Sequence, residues 1–116
     1  MLITFCKSKI GHATITQAEL YYEGSITIDE SVLEAVGIVP GEKVEILNIN
    51  NGTRIETYTI AGKAGSGQIC LNGPAARSGV VGDRIIILSY ALVDAKEAKG
   101  LKTKVIYLDE KNKVRK

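Results

Sequence analysis

Tryptophan is absent from this chain of 116 residues, and Phe5 is its one phenylalanine. A hydrophobic core must therefore be built from Val, Ile, Leu and Ala. The length suits one domain, which buries roughly two-thirds of its unfolded surface. No apolar run reaches the about 18 residues that a membrane-spanning helix needs, so no membrane association is expected. The N-terminus lacks the charged region, apolar stretch and small-residue cleavage site of a signal peptide. Cysteine is limited to Cys6 and Cys70, too far apart for a CxxC pair. Two reduced, buried thiols and a cytoplasmic location are expected. His12 is the one histidine, which leaves too few ligands for a zinc site, and no metal is expected. Charge of one sign is also missing. Lys and Arg total 15 against 13 Asp and Glu, a net +2, without the dense basic face that nucleic acid requires.

What remains is a succession of short strand-like runs. Residues 2–6 are apolar or Thr and read as a first strand, followed by a solvated basic turn, Lys7-Ser8-Lys9-Ile10-Gly11-His12. Residues 13–20 mix β-branched and polar side chains and read as a second strand, and Ile26-Thr27-Ile28 as another. Asp29 is an N-cap for a short helix that buries Val32, Leu33 and Val36, closes at Gly37 and cannot continue past Pro40. Residues 43–50 alternate with one break at Ile46-Leu47, and Asn50-Asn51-Gly52 is a hairpin signal. On the return strand, residues 53–61, a period of two puts Arg54, Glu56 and Tyr58 on one face and Thr57 on the other. A bulge or strong curvature would be needed for all four to serve one pocket. Gly62-Lys63-Ala64-Gly65-Ser66-Gly67 lacks the G-x-x-x-x-G-K-[ST] order of a phosphate loop and reads as a turn.

Residues 68–71 form a short strand, leading to Asn72-Gly73-Pro74-Ala75-Ala76-Arg77, a turn with one helical turn. Residues 80–83 turn again, and residues 84–92 make a mostly apolar central strand. A surface helix over residues 94–99 ends at Gly100. The last strand covers residues 103–109, and the basic tail from Lys111 is expected to be mobile. Many short strands, frequent turns and few helices predict a mainly β fold, a small barrel of one domain over residues 1–116.

Within Glu19-Leu20-Tyr21-Tyr22-Glu23-Gly24-Ser25-Ile26-Thr27-Ile28-Asp29, the Gly24-Ser25 bond alone is an ordinary turn. Together with Lys9, Arg54, Thr57, Tyr58 and the Asn72-Gly73 loop, in order and at matching spacing, it resembles the self-cleavage site of bacterial aspartate 1-decarboxylases. These are pyruvoyl-dependent enzymes that make β-alanine and CO2 from L-aspartate for pantothenate. The resemblance covers nearly the whole chain. It implies a six-stranded double-psi β-barrel with a few short helices, assembled as a homotetramer with sites between subunits. It also implies autocatalytic cleavage into residues 1–24 (a β chain) and 25–116 (an α chain), with Ser25 becoming the covalent pyruvoyl cofactor that forms a Schiff base with the substrate.

The same resemblance gives each residue its role. Gly24 and Ser25 flank the cleaved bond, and Tyr58 is the proton donor, a phenol that keeps its proton at neutral pH. Lys9 and Arg54 offer cations to carboxylates, Arg54 as a planar fork. Thr57 can donate and accept. Asn72, Gly73, Pro74 and Ala75 wrap the substrate. Two departures stand out. The family reads Lys-hydrophobic-His-Arg where this chain has Lys9-Ile10-Gly11-His12, so no histidine role is carried over. Pro74 replaces a commoner alanine and has no N–H to offer. A maturation partner is left open. The alternative is an unprocessed or non-catalytic β-barrel used for binding or assembly.

A serine hydroxyl reaches the preceding carbonyl carbon through a five-membered ring, and the resulting ester is uphill from the amide, so strain and oxyanion stabilisation are required. Glycine at position 24 suits such a bond because it adopts backbone angles that a side chain forbids.

Overall fold

Alternating burial cuts the chain into strands. The computed structural model describes residues 1–115, and among these the elements are β1 (Leu2–Thr14), β2 (Gln17–Glu19), β3 (Ser25–Asp29), α1 (Glu30–Val36), β4 (Lys43–Asn48) and β5 (Arg54–Gly62). They continue with β6 (Ile69–Asn72), a single 3-10 turn (Gly73–Arg77), β7 (Arg84–Asp94), α2 (Ala95–Ala98) and β8 (Lys104–Tyr107). The fold is mainly β. Its strand order is β2-β6-β3-β5-β4-β7-β1-β8. Six strands from β6 to β1 form the unbroken centre, and the short β2 and β8 add parallel pairs at the flanks. No helix among the described residues is long and apolar enough to cross a membrane.

Two features curl this sheet. β1 and β2 lie far apart in the strand order, yet only Ile15 and Thr16 separate them in the chain. At that bend, Ile15 N donates to Asp83 O (3.0 Å), beside β7, and Thr16 N donates to Ile69 O (2.8 Å), in β6. The bend draws the two sides of the sheet together. β5 likewise changes partner, running antiparallel to β4 over residues 54–58 and parallel to β3 over residues 59–62. The concave side holds an aliphatic core, with Ile10, Ile15, Ile26, Ile28, Ile69, Leu71, Ile85 and Ile87 essentially without solvent exposure. Each such side chain contributes about 2 kcal/mol by leaving water.

Local signals act as expected at α1. Asp29 Oδ1 accepts from Ser31 N (2.8 Å), Val32, Leu33 and Val36 face the core, and Gly37 closes the helix at φ 76°. In β4 the expected break at Ile46-Leu47 is absent. Val44, Ile46 and Asn48 point inward in strict alternation, and the polar Asn48 is satisfied there by Ser78 O (3.1 Å), Asp83 Oδ2 (2.9 Å) and Asn50 N (2.8 Å). Five residues, 49–53, join β4 to β5, with Gly52 at φ 77°.

Three expectations are corrected. The basic turn at residues 7–12 is part of β1, whose 13 residues pair with β7 and β8. The strand expected over residues 13–20 is split by the Ile15-Thr16 bend. Within β1, Gly11 and His12 form a bulge: Ile10 pairs with Ile87 and Ala13 with Ile85, so two residues oppose one. His12 takes φ 59° and lies exposed against the Tyr107 ring (centroids 5.5 Å apart), while a Cβ on Gly11 would stand 2.6 Å from that ring. The bulge thus turns the imidazole outward. Finally, the tail is tied down. Buried Asn112 accepts from Thr14 N (2.9 Å) and donates to Thr14 O (2.9 Å) and Gly67 O (2.8 Å), and Lys113 Nζ donates to Gly65 O. Lys116, also in the expected mobile tail, lies outside the described residues.

Candidate active site

β3 starts at Ser25, directly after an exposed approach from Leu20 to Glu23. Antiparallel pairing sets Ser25 opposite Asn72 and Thr27 opposite Cys70. A period of two along both strands therefore collects four polar side chains. Asn72 Nδ2 donates to Ser25 Oγ and to Thr27 Oγ1, both at 2.9 Å, and Cys70 Sγ donates to Asn72 Oδ1 at 3.2 Å. Ser25 is fully buried and Asn72 nearly so. The Ser25 hydroxyl has one further partner, Glu23 O, at a long 3.5 Å.

Gly73 fixes the approach to this cluster. It adopts φ 64°, and a Cβ there would overlap Tyr22 O and stand 2.9 Å from Gly24 N. Only glycine lets residues 22–24 lie against the start of the 3-10 turn. Gly24 itself is different. Its φ is not positive, and an added Cβ would meet only Pro74 Cδ, at an ordinary 3.5 Å. At position 24 the fold thus shows neither a positive φ nor a close approach.

A cavity of about 370 Å³ opens beside Gly24 and is lined by Ile55, Glu56, Thr57, Pro74 and Ala75. The structure so brings together Gly24, Ser25, Thr57, Asn72, Gly73, Pro74 and Ala75. It does not bring in Lys9, Arg54 or Tyr58. β5 pairs with β4 without a bulge over residues 54–58, so Thr57 faces the cavity while Arg54 and Tyr58 point outward. The Arg54 guanidinium lies on Glu45 Oε1 (2.8 Å), and Tyr58 is 40% exposed. Lys9 sits half-buried in β1 between Leu88 and Val105, with no ion pair among the described residues. A larger concavity of about 440 Å³ lies on the outer face around Glu45, Glu56 and Tyr90, away from Ser25, and both carboxylates there are already paired to Arg54 and Lys43.

Sequence reasoning missed Thr27 and Cys70, although each lies two residues from a residue it did single out. It also missed the partner of the glycine-rich loop. That loop does bind an anion, one of the protein's own: Gly65 N and Gly67 N donate to the Asp29 carboxylate at 3.0 and 2.8 Å, beside Ser31 N and Ser31 Oγ. Burial pushes the Asp29 carboxyl up, but the Ser31 hydroxyl and the Gly67 and Gly65 amides outweigh it and hold it below the ordinary carboxylate value. Burial, and then the charge of Glu19, raise the Cys70 thiol above its ordinary value. Among the described residues no group of three or more His, Cys, Asp or Glu is disposed to hold a metal ion.

A buried polar cluster around Ser25 and Asn72, next to a cavity sized for a small molecule, on a mainly β scaffold, is the class of site that the fold presents. The comparisons give this class a family. A family model described as aspartate decarboxylase matches residues 1–115, and the chain belongs to that family. Aspartate 1-decarboxylase of Carboxydothermus hydrogenoformans is 57% identical over 98% of this chain and 90% of its own length. That of Thermoanaerobacter pseudethanolicus is 59% identical over 92% of each chain, and that of Leptospira biflexa 49% over 100% of this chain and 99% of its own. The crystal structure of the rationally designed mkDPBB_sym1 protein overlays with a TM-score of 0.48 at 18% identity, over 75% of this chain and 96% of that one, too loosely to decide topology.

Proposed function

We propose that this chain is a pyruvoyl-dependent aspartate 1-decarboxylase that converts L-aspartate to β-alanine and CO2 for pantothenate, after cutting itself between Gly24 and Ser25. The observation that carries this reading is the buried Ser25 hydroxyl, held by Asn72 at 2.9 Å immediately behind the Gly24 carbonyl and beside a cavity lined by Gly24 and Thr57. In the first step Ser25 Oγ adds to the Gly24 carbonyl carbon, the C–N bond breaks, and the hydroxyl proton ends on the released nitrogen. Loss of the Ser25 α-proton then expels the Gly24 carboxylate and leaves dehydroalanine. Its tautomer takes up water and releases ammonia, so the chain from residue 25 begins with a pyruvoyl group.

The residues present fit that group. A buried carboxamide donor, Asn72 Nδ2, lies 2.9 Å from the oxygen of residue 25, where it suits a small uncharged carbonyl. Once formed, the group supplies the carbonyl that takes the aspartate amine and draws electrons as CO2 leaves. The chain's own residues do the rest. Thr57 offers a hydroxyl within the cavity, Ala75 and Pro74 shape its wall, and Pro74 contributes no N–H. Arg54 and Tyr58 face away from this cavity, and Lys9 does not line it, so one subunit is incomplete. The reading therefore includes a cytoplasmic homotetramer in which a neighbouring copy brings such side chains to the site, Tyr58 as proton donor and Lys9 and Arg54 to carboxylates. It also includes double-psi closure of the six central strands, supported by the Ile15-Thr16 bend and the partner switch of β5.

Intact-mass measurement tests the cut: two fragments, residues 1–24 and 25–116, are expected. Borohydride trapping with labelled aspartate should then fix label on the larger fragment. A single full-length species after prolonged warming, with no label trapped, would sink the reading.

A further inference from the structure

We infer that Cys70 and Thr27 are positioning residues for self-cleavage: acting through Asn72, Cys70 sets which way its carboxamide points and Thr27 steadies it there, and together they decide how the Ser25 hydroxyl is held. This rests on the self-cleavage reading above and deepens it.

A carboxamide has an acceptor end and a donor end of nearly the same shape, and its surroundings must choose between them. Asn72 is buried, so its choice is made by protein groups alone. Ser25 Oγ and Thr27 Oγ1, both 2.9 Å from the nitrogen end, do not choose, because a hydroxyl donates or accepts equally well. Cys70 does choose. Its thiol is 3.2 Å from Asn72 Oδ1, closer than its other acceptor, Leu71 O, at 3.8 Å. A thiol donates weakly and accepts poorly, so it favours the oxygen end of the carboxamide over the nitrogen end. Burial keeps that thiol protonated, consistent with its raised pKa.

The orientation has a chemical consequence. With Oδ1 toward Cys70, both Nδ2 hydrogens point at the hydroxyls, and Ser25 Oγ is an acceptor. Its own hydrogen is left with Glu23 O at 3.5 Å, a weak hold. In the opposite orientation Oδ1 would accept the Ser25 hydrogen and fasten it. The attacking step forms the bond from Oγ to the Gly24 carbonyl carbon, breaks the amide C–N bond and moves the hydroxyl proton to the Ser25 nitrogen, with no change of oxidation state. It needs Oγ fixed in place and its proton free to pass to that nitrogen rather than tied to Asn72 Oδ1. Thr27 takes the second Nδ2 hydrogen and so gives the carboxamide, oriented by Cys70, a second anchor. The arrangement spans two strands and four side chains, all on one face of the β3–β6 pair.

The test compares cleavage rates of full-length precursors, followed by intact mass after synthesis in the cold and warming. Cys70→Ala removes the donor and is expected to slow cleavage at least about tenfold. Cys70→Ser restores an O–H donor of similar size and is expected within about threefold of the parent. Thr27→Val is expected to slow cleavage several-fold and Thr27→Ser to restore it. Thermal midpoints are measured alongside, because a packing role would move stability and rate together and would not be rescued by serine. Equal rates for the parent and Cys70→Ala overturn the inference while leaving self-cleavage intact, as does equal slowing of Cys70→Ala and Cys70→Ser. A parent chain that never cleaves overturns both.

Discussion

At its C-terminal end β3 finishes in Asp29, whose two carboxylate oxygens accept from Ser31 N, Ser31 Oγ, Gly65 N and Gly67 N, all within 3.0 Å. At its N-terminal end, four positions earlier, Ser25 is equally buried but its hydroxyl holds one short hydrogen bond, from Asn72, and one long one, to Glu23 O. The same strand is thus nailed at one end and loosely held at the other, next to an exposed approach at residues 20–23. Burial alone therefore does not say how firmly a polar group is held. Asp29 carries its charge against four donors, whereas the Ser25 proton has no good acceptor.

Breaking the loosely held end should give the largest effect. Ser25→Ala is expected to abolish cleavage and to lower CO2 release from aspartate at least about a thousandfold, checked by intact mass and by a CO2 assay. Folding should survive, because the hydroxyl contributes only about 1 kcal/mol. Next comes Gly73→Ala, which puts a Cβ into Tyr22 O at a positive φ. A loss of about 3 kcal/mol is expected, read as a lowered thermal midpoint, together with slowed cleavage because residues 22–24 must move.

The anchored end should respond in stability and not in chemistry. Asp29→Ala is expected to cost about 2 kcal/mol, while cleavage per folded molecule stays within a few-fold. Its pH dependence has a definite sign. Folding lowers the Asp29 carboxyl, so the stability it contributes is fully present above about pH 4 and is lost as pH falls through its lower folded value. Acid unfolding of Asp29→Ala should therefore show a shallower slope in that window than the parent. Gly65→Ala should have the smallest effect. A Cβ there meets nothing within 4 Å, so only the strain of φ 82° remains, about 1 kcal/mol by thermal unfolding. Were Gly65→Ala to hurt as much as Gly73→Ala, the contrast between a crowded glycine and a merely twisted one would fail.

Much of the site was legible where neighbours along the chain decide the outcome. Asp29 and Gly37 bound α1 because capping is settled within one turn of helix. The alternation of Arg54, Thr57 and Tyr58 correctly separated an inward threonine from outward partners, since a regular strand has no other choice. The Gly24-Ser25 junction and the Asn72 loop carried a family pattern. Other readings went astray where a distant group intervened. Lys7-Ser8-Lys9 is polar enough for a turn, yet pairing with β7 and β8 keeps it extended. The tail from Lys111 has the composition of a loose end, but Asn112 fills the gap between Thr14 and Gly67. Cys70 and Thr27 escaped notice because each looks like an ordinary strand residue until β3 and β6 are placed side by side.

By itself the sequence determined the caps of α1, the opposite faces of Thr57 and its neighbours Arg54 and Tyr58, and that the core would be aliphatic. These follow from φ preferences, a two-residue period and composition, all of them local properties. Only the tertiary structure decided what each inward polar group meets. Asn72 reaches Ser25 across 47 residues, Asp29 reaches Gly67 across 38, and Asn112 reaches Thr14 across 98. Periodicity fixes the face a side chain points to but carries no record of the partner strand or its register, and a hydrogen bond is made or lost over a few tenths of an ångström.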